Sequence, residues 1–173
     1  MLKRHDYEIA ALVIEPTGKV VPQRGFLEEV RRLCDQHGVV LVFDEVISGF
    51  RIDMGGAQAY YNVTPDLAAF GKAMANGYPL SALVGKREIM SKMEDIFFSA
   101  TFGGELSSIA AAIATITKLE TADCVRRIHA LGDRLMTSLN TALSDVGLGE
   151  MICYTGEPWW PRVALNDLPI EQS

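Results

Sequence analysis

Two stretches decide the fold of this chain: HGVVLVFDEV at residues 37–46 and DLAAFGKAMANGYPLSA at residues 66–82. In the first, residues 39–43 are aliphatic or aromatic throughout, without the polar alternation of a half-exposed strand. Such a run is typical of a strand that is covered on both faces of a mostly parallel sheet. It ends in Asp44 and Glu45, and open α/β sheets bind ligands at the carboxyl ends of their strands. The sequence therefore predicts carboxylates at a ligand-binding edge.

The second stretch predicts a short strand over residues 67–70, ended by Gly71 and Lys72. We therefore expect an acid and an amine, Asp44 and Lys72, at the ends of neighbouring strands. This arrangement matches what pyridoxal phosphate requires. A lysine forms a Schiff base with the aldehyde of the cofactor, and a carboxylate keeps the ring nitrogen protonated, so that the ring withdraws electrons from the substrate carbon. Pyridoxal 5'-phosphate is thus the cofactor that these residues favour.

The segments before the second stretch predict an α/β fold. Residues 9–14 have the pattern of a buried strand, ended by Pro16, which has no N–H to donate to a ladder. A helix is predicted over residues 26–37, with a stop at Gly38. A strand, a helix and a further strand within about 35 residues imply a right-handed crossover between parallel strands. The residues expected on the inward face of the helix are Phe26, Val30, Leu33 and Cys34.

The later part of the chain predicts one more strand and three helices. The strand covers residues 80–84, and the helices cover residues 86–93, 106–120 and 122–146. The apolar residues predicted to face inward are Leu106, Ile109, Ile113 and Ile116 on the second of these helices, and Ile128, Leu131, Leu135, Leu139 and Val146 on the third.

Composition excludes several classes of function. The net charge of −6 over 173 residues leaves no basic stripe for nucleic acid. Three cysteines without a Cys-x-x-Cys motif indicate a reducing compartment, and the three histidines share no ligand spacing, so no metal site is expected. No stretch reaches the ~20 apolar residues that span a bilayer, and the first apolar run is too short for a signal peptide. We expect a cytoplasmic protein.

Four ordered motifs resemble a known family, the class III (fold-type I) pyridoxal-phosphate-dependent aminotransferases, and in particular its glutamate-1-semialdehyde aminomutase-like branch. The resemblance covers roughly residues 9–120, and the tail follows the family more loosely. Any one motif alone is a weak signal, but four at family-like spacing are a strong one. The motifs are EP at 15–16, DEVISGFR at 44–51, TPDLAAFGKAMANGYPLSALVG at 64–85 and FFSATFGGE at 97–105.

The resemblance implies a role for each of four residues. Lys72 would form the Schiff base and then shuttle a proton between the substrate α-carbon and the cofactor. Asp44 would pair with the pyridinium nitrogen, and Val46 would pack against one face of the ring. Thr101 would bind the cofactor phosphate of the partner subunit, which implies a homodimer with shared active sites. Without the family, these residues would be a surface lysine, a turn acid, a core valine and part of a glycine turn.

Three further residues bear on the substrate. Many class III aminotransferases carry glutamine where this chain has Ile47, whereas the aminomutase-like branch is apolar there. The loop after Glu15 is shorter and poorer in glycine than the family pattern, so the small amino or keto substrate is left open. Arg51 could bind a carboxylate or form an ion pair, and we favour the ion pair.

The family's polypeptide is more than twice as long, so the chain looks like a C-terminal-half fragment. Residues 1–120 are expected to form the second half of a partial fold-type I large domain, and residues 121–173 a linking helix and the start of a small α+β C-terminal domain. The function that follows is amino-group transfer through Lys72. The alternatives are a 2,1-aminomutase and a non-catalytic fragment that keeps only a scaffold or dimer role. The sequence does not indicate a nucleotide-binding domain, because no glycine fingerprint follows a strand.

Overall fold

A computed structural model of the chain describes residues 8–97, 99 and 101–166. The chain divides into two compact units, the first ending at Ala122 and the second beginning at Asp123. The assignment of the second unit to a small C-terminal domain stays a prediction. Within the described ranges, no helix is both long and apolar enough to cross a membrane.

The first unit contains a four-stranded sheet in the order β1-β2-β3-β4. The pairs β1–β2 and β2–β3 are parallel, whereas β4 runs antiparallel to β3. The predicted α/β class with a mostly parallel sheet is therefore confirmed. The strands are β1 (Ala11–Ile14), β2 (Val40–Asp44), β3 (Leu67–Phe70) and β4 (Ala82–Gly85).

The core of this unit lies around β2. Leu41 and Phe43 are fully buried, whereas Val40 and Val42 on the other face are partly buried, so the predicted cover of both faces is complete on one face only. The prediction of a buried strand over residues 9–14 was wrong for one face, because Val13 of β1 is 64% exposed. In the described part of the chain β1 pairs only with β2, and its outward side chains lack cover.

Helix α1 (Phe26–His37) has the predicted bounds. Gly38 ends it with φ 63, a left-handed conformation that glycine adopts without steric cost. The predicted inward face was partly wrong: Leu27 and Cys34 are buried, but Phe26 is 47% exposed. Leu27 lies one position further along the helix, about 100° around its axis, and it is this side chain that reaches the sheet.

Asp66 joins several elements at the amino end of β3. Its carboxylate accepts hydrogen bonds from Arg31 Nη1 of α1 at 2.8 Å and from the Leu41 backbone N–H of β2 at 2.7 Å. Lys86 Nζ forms an ion pair with it at 2.6 Å. Burial alone would raise the pKa of Asp66, but the hydrogen bonds from Lys86, Leu41 and Arg31 outweigh burial and lower the pKa below its ordinary value of 3.8.

After β4, a short helix α3 (Arg87–Met90) and a 3-10 turn lead towards α4 (Leu106–Thr121), with α2 (Gly56–Tyr60) lying earlier in the chain. Glu105 caps α4, accepting the backbone N–H groups of Ser107 at 2.9 Å and Ser108 at 2.6 Å. Hydrogen bonds from Ser108 and Ser107 lower the pKa of Glu105 to about 2.

Of the apolar stripe predicted to face inward on α4, Ile116 is partly buried and packs against the core, and the rest is exposed. Leu106 is 78% exposed and Ile113 is 64% exposed, whereas Ser108 and Ala112 are buried. The helix contacts the short turn that follows β3, and small side chains on that face allow the close approach. Which side chains of α4 are buried is thus set by the segment that the helix packs against, and not by the positions of its largest apolar residues.

The second unit consists of helix α5 (Cys124–Asp145) and a hairpin of β5 (Ile152–Glu157) and β6 (Trp160–Leu165). The Asn140 side chain donates to the Tyr154 carbonyl at 2.9 Å and accepts the Tyr154 N–H at 2.7 Å, which ties helix to hairpin. Gly132 is the buried residue of α5. Of the residues predicted to face inward, Ile128 and Leu139 are partly buried, whereas Leu131, Leu135 and Val146 are exposed.

Candidate active site

The turn that follows β2 carries two of the predicted site residues. Asp44 ends the strand partly buried, and its Oδ1 accepts the Val46 N–H at 3.1 Å. The Glu45 N–H donates to the Ala69 carbonyl at 2.9 Å, so that the pairing with β3 continues one residue past the strand. The backbone of this turn is therefore tied to the sheet on the side where β3 ends.

Glu45 anchors the same turn from the other side. Its side chain is fully buried, and its two oxygens accept four hydrogen bonds. Oε2 accepts the Ala57 N–H at 2.5 Å and the Ser48 hydroxyl at 2.9 Å, and Oε1 accepts the Gln58 N–H at 3.0 Å and the Gln58 side-chain amide at 3.3 Å. Four donors satisfy a buried carboxylate, so Glu45 has a structural position that the sequence did not reveal.

Two glycines make room for this arrangement. A Cβ on Gly56, which has φ 76, would lie 2.4 Å from Glu45 Oε2, so only glycine allows the chain to approach the carboxylate. A Cβ on Gly49 would lie 2.4 Å from the Phe70 ring and 2.8 Å from the Glu45 carbonyl oxygen. The pair Gly55–Gly56 was the one sequence signal that could have pointed to the close contact.

Lys72 lies at the end of β3. Gly71 follows the strand, and Lys72 begins a 3-10 turn, Lys72–Met74, with φ 37, a left-handed value that is uncommon outside glycine. Its side chain is exposed. A Cβ on Gly71 would lie 3.4 Å from Val46 Cγ1, so Val46 packs beside the residue that precedes Lys72.

The structure thus brings three of the four predicted residues to one edge of the sheet. In the register of β2 and β3, Asp44 is opposite Ala69, and Lys72 follows three residues later. Because the strands are parallel, the turns that carry Asp44, Val46 and Lys72 leave the same edge side by side.

Thr101, the fourth predicted residue, lies in a later segment of the chain. It lines an open cavity of about 530 Å³ that involves two chain segments, and Asp44, Val46 and Lys72 are not among the residues of its lining. Ser81, which sequence reasoning did not single out, adds a second hydroxyl-bearing side chain to this cavity. The lining residues are Pro79, Leu80, Ser81, Thr101, Phe102 and Gly103.

The other sequence-derived candidates take ordinary positions. Ile47 and Arg51 are partly buried, and Glu15 is exposed. The ion pair of Arg51 stays a prediction. In the described ranges, no group of three or more His, Cys, Asp or Glu side chains is arranged to hold a metal ion.

Comparison with known proteins identifies relatives over most of the chain. The family model described as "Aminotransferase class-III" matches residues 1–153. A 3-aminobutyryl-CoA aminotransferase of Cloacimonas acidaminovorans is 39% identical and is matched by 96% of this chain, which covers 41% of that protein. A glutamate-1-semialdehyde 2,1-aminomutase of Alkaliphilus oremlandii is 40% identical, with 84% of this chain and 36% of that protein covered. The chain spans about two fifths of the length of the curated relatives it matches.

Solved structures agree on the fold. The FumI protein of Sphingopyxis sp. MTA144, in its PLP internal aldimine form, superposes with a TM-score of 0.86 at 30% identity, covering 96% of this chain and 41% of that one. An omega-transaminase from Sphaerobacter thermophilus gives a TM-score of 0.83 at 31% identity, covering 97% of this chain and 40% of that one. The described fold is therefore that of part of a fold-type I transaminase.

Proposed function

The chain belongs to the class III aminotransferase family, and from this premise we propose that it forms the lysine-bearing part of a pyridoxal-phosphate-dependent enzyme that transfers an amino group. The observation that carries the proposal is the meeting of two strand ends. The Asp44–Val46 turn after β2 lies against the Gly71–Lys72 turn after β3. An acid, an apolar side chain and a primary amine thus leave one edge of the sheet, the position where open α/β sheets bind ligands.

The donor set at this edge fits pyridoxal 5'-phosphate. When bound, the cofactor supplies an aldehyde and a ring that withdraws electrons from the substrate carbon. Lys72 would attach it through Nζ and would afterwards hold and move the proton taken from that carbon. The carboxylate of Asp44 would accept a hydrogen bond from the ring nitrogen and keep it protonated, and Val46 would cover one face of the ring.

Thr101 would contribute its hydroxyl to the cofactor phosphate in the site of a partner subunit, so we propose a homodimer with shared sites. Thr101 lines an open cavity together with Ser81, so its hydroxyl is accessible to a phosphate. We also propose a cytoplasmic location, in keeping with three cysteines of which none forms a disulfide. The substrate would be a small amino or keto compound.

The decisive experiment adds pyridoxal phosphate to the chain and reduces the mixture with borohydride, which fixes an imine as a stable adduct. Peptide mapping should place the adduct on Lys72, and Lys72→Arg should abolish it. Lys92→Arg is the matched control, because Lys92 is exposed and pairs only loosely with Asp95 at 3.6 Å. An adduct spread equally over the exposed lysines would refute the role of Lys72.

One alternative activity has its own support. Relatives that are glutamate-1-semialdehyde 2,1-aminomutases match the chain at 35–40% identity, and Ile47 is apolar as in that branch. An aminomutase moves the amino group within one molecule, whereas an aminotransferase needs a separate acceptor. Turnover of the substrate without any added amino acceptor would favour the aminomutase.

A second alternative is a non-catalytic role as a scaffold or dimer subunit. It predicts a stable dimer that takes up no cofactor. Sedimentation of the chain with and without pyridoxal phosphate, combined with the adduct experiment, separates this case from the catalytic ones.

A further inference from the structure

Glu45 is a buried carboxylate for which the proposed chemistry has no direct use. It follows Asp44 and precedes Val46, and its backbone N–H pairs with Ala69 of β3, but its side chain is fully buried. Successive residues of an extended strand point to opposite faces, so Asp44 and Glu45 serve opposite sides of the same turn. Three of the four hydrogen bonds to its carboxylate come from Ala57 and Gln58, 12 and 13 residues further along, and the fourth comes from Ser48.

From this geometry we propose that Glu45 is a positioning residue: it locks the turn after β2 onto the start of α2, and thereby fixes Asp44 and Val46 in the orientation that the cofactor ring requires. The inference rests on the proposed function, because Asp44 and Val46 are the groups that would touch the ring. It goes beyond that function, because it holds that a residue without contact to the cofactor sets the orientation of the residues that bind it.

The hydrogen bonds explain why a carboxylate is needed. An ionised carboxylate accepts only, and here both oxygens face backbone N–H donors, Ala57 N–H on Oε2 and Gln58 N–H on Oε1. Glutamine in this place would have to turn its own NH₂ group towards one of those donors, whichever way the amide were oriented. The conflict would push the turn away from α2 and, since Val46 packs beside Gly71, would also loosen the contact between the two site turns.

The experiment compares four versions of the full chain: unsubstituted, Glu45→Gln, Ser48→Ala and Asp66→Asn. Ser48→Ala removes one of the four donors and keeps the backbone partners. Asp66→Asn makes the same chemical change in another buried carboxylate, one that lies at the opposite end of β3. Three quantities are measured: the Kd for pyridoxal phosphate by absorbance titration, the position of the bound-cofactor absorption band, and amide hydrogen exchange at Ala57 and Gln58 without cofactor.

We expect Glu45→Gln to raise the Kd by about tenfold, the effect of one lost hydrogen bond to a charged group. It should also shift the absorption band and speed exchange at Ala57 and Gln58. Ser48→Ala should raise the Kd by about twofold to threefold with no loss of fold. Asp66→Asn should lower stability but leave the Kd and the band unchanged.

A double substitution distinguishes positioning from plain destabilisation. If Glu45 acts through Asp44, then Glu45→Gln should raise the Kd much less in an Asp44→Asn background than in the unsubstituted chain, because coupled residues are not additive. Equal effects in both backgrounds would overturn the inference, as would slow exchange at Ala57 and Gln58 in Glu45→Gln. If Glu45→Gln does not fold, Ser48→Ala with a Kd and band equal to those of the unsubstituted chain would overturn it instead.

These outcomes are distinct from a failure of the proposed function. If the unsubstituted chain takes up no cofactor, the proposed function of the isolated chain fails, and the role assigned to Glu45 fails with it. If it takes up cofactor with the same Kd as Glu45→Gln and Ser48→Ala, the proposed function stands and only the positioning role is wrong.

Discussion

Replacing Asp66 by asparagine should destabilise the first unit by about 2–3 kcal/mol. Asp66 is 5% exposed, and its carboxylate has three partners: Arg31 of α1, Leu41 of β2, and Lys86, which lies between β4 and α3. Asparagine keeps one oxygen, which can still accept the Leu41 N–H, but it loses the charge that attracts the two cations. Asn in this position is therefore a probe of the ion pairs and not of the backbone contact.

The magnitude follows from the exposure of the two cations. The Arg31 side chain is 17% exposed, so the loss of its charged hydrogen bond should cost about 1.5–2 kcal/mol. The Lys86 side chain is 48% exposed and can be hydrated when released, which limits its share to about 0.5–1 kcal/mol. In a unit of this size the sum corresponds to a fall in Tm of about 10 °C.

Urea unfolding followed by far-ultraviolet circular dichroism measures this loss. Asp35→Asn is the matched control, because Asp35 pairs with the same Arg31 at 2.6 Å from a side chain that is 63% exposed. Its loss should cost about 0.5 kcal/mol or less. Equal stabilities of Asp66→Asn and Asp35→Asn would refute the view that Asp66 is the buried junction of the unit.

The pH dependence gives a second check on the same prediction. The folded state lowers the pKa of Asp66 below its ordinary value of 3.8. A group of this kind stabilises the fold fully above its unfolded pKa, and the stabilisation is lost as the pH falls through the lower folded pKa. The difference in stability between the unsubstituted chain and Asp66→Asn should thus be constant near neutral pH and shrink below about pH 4. A difference that grew on acidification would contradict the sign.

Three further predictions concern other parts of the chain. Glu105→Gln should remove the charged cap at the start of α4. Because the pKa of Glu105 is lowered to about 2, this cap stabilises the helix fully above pH 4.5 and is lost as the pH falls towards 2. The unsubstituted chain should therefore lose helix signal on acidification, and the variant should not. Gly132→Ala should destabilise the second unit by about 1–2 kcal/mol, because the added Cβ would meet the Pro158 carbonyl oxygen and this overpacking outweighs the better helix propensity of alanine. Tryptophan fluorescence during urea unfolding measures the change in stability. A more stable variant would contradict the close contact between Gly132 and Pro158. Cys34 should react with a thiol reagent far more slowly than Cys153, because it is fully buried and burial raises its pKa, and mass spectrometry showing equal labelling under native conditions would count against its burial.

The sequence predicted β2, β3 and α1 well because local chemistry specifies them. The apolar run at residues 39–43 predicts a strand, and the observed strand is Val40–Asp44, although Val40 and Val42 are only partly buried. Gly38 stops α1 where a left-handed residue is needed. Where a segment contains its own start and stop signals, the pattern alone sets the bounds.

The faces of the helices were predicted less well, because burial depends on partners that lie far away in sequence. Apolar periodicity placed Leu106 and Ile113 of α4 inward, yet both are exposed. The buried positions Ser108 and Ala112 are small, a property that shows no apolar signal but allows close packing. A hydrophobic stripe therefore shows which residues favour burial, but it does not show which element of the described chain packs against them.

For the candidate site, the sequence indicated the right strand ends but not what holds them. Asp44 and Lys72 could be placed on neighbouring strands from the motifs, and the parallel register brings their turns to one edge. The anchoring of Glu45 could not be foreseen, because two of its partners are backbone N–H groups of Ala57 and Gln58. Backbone donors carry no side-chain identity, and the pair Gly55–Gly56 could have indicated a close approach of the chain but not its partner.

The cap on α4 limits how this part of the molecule can attract anions. Backbone N–H groups at the start of a helix often bind anions, but two of those of α4 already donate hydrogen bonds to Glu105 of the same chain. A phosphate that approaches Thr101, four residues earlier, would meet a like charge instead of a vacant helix end. Binding there would depend on hydroxyl groups such as those of Thr101 and Ser81 rather than on the first amides of α4.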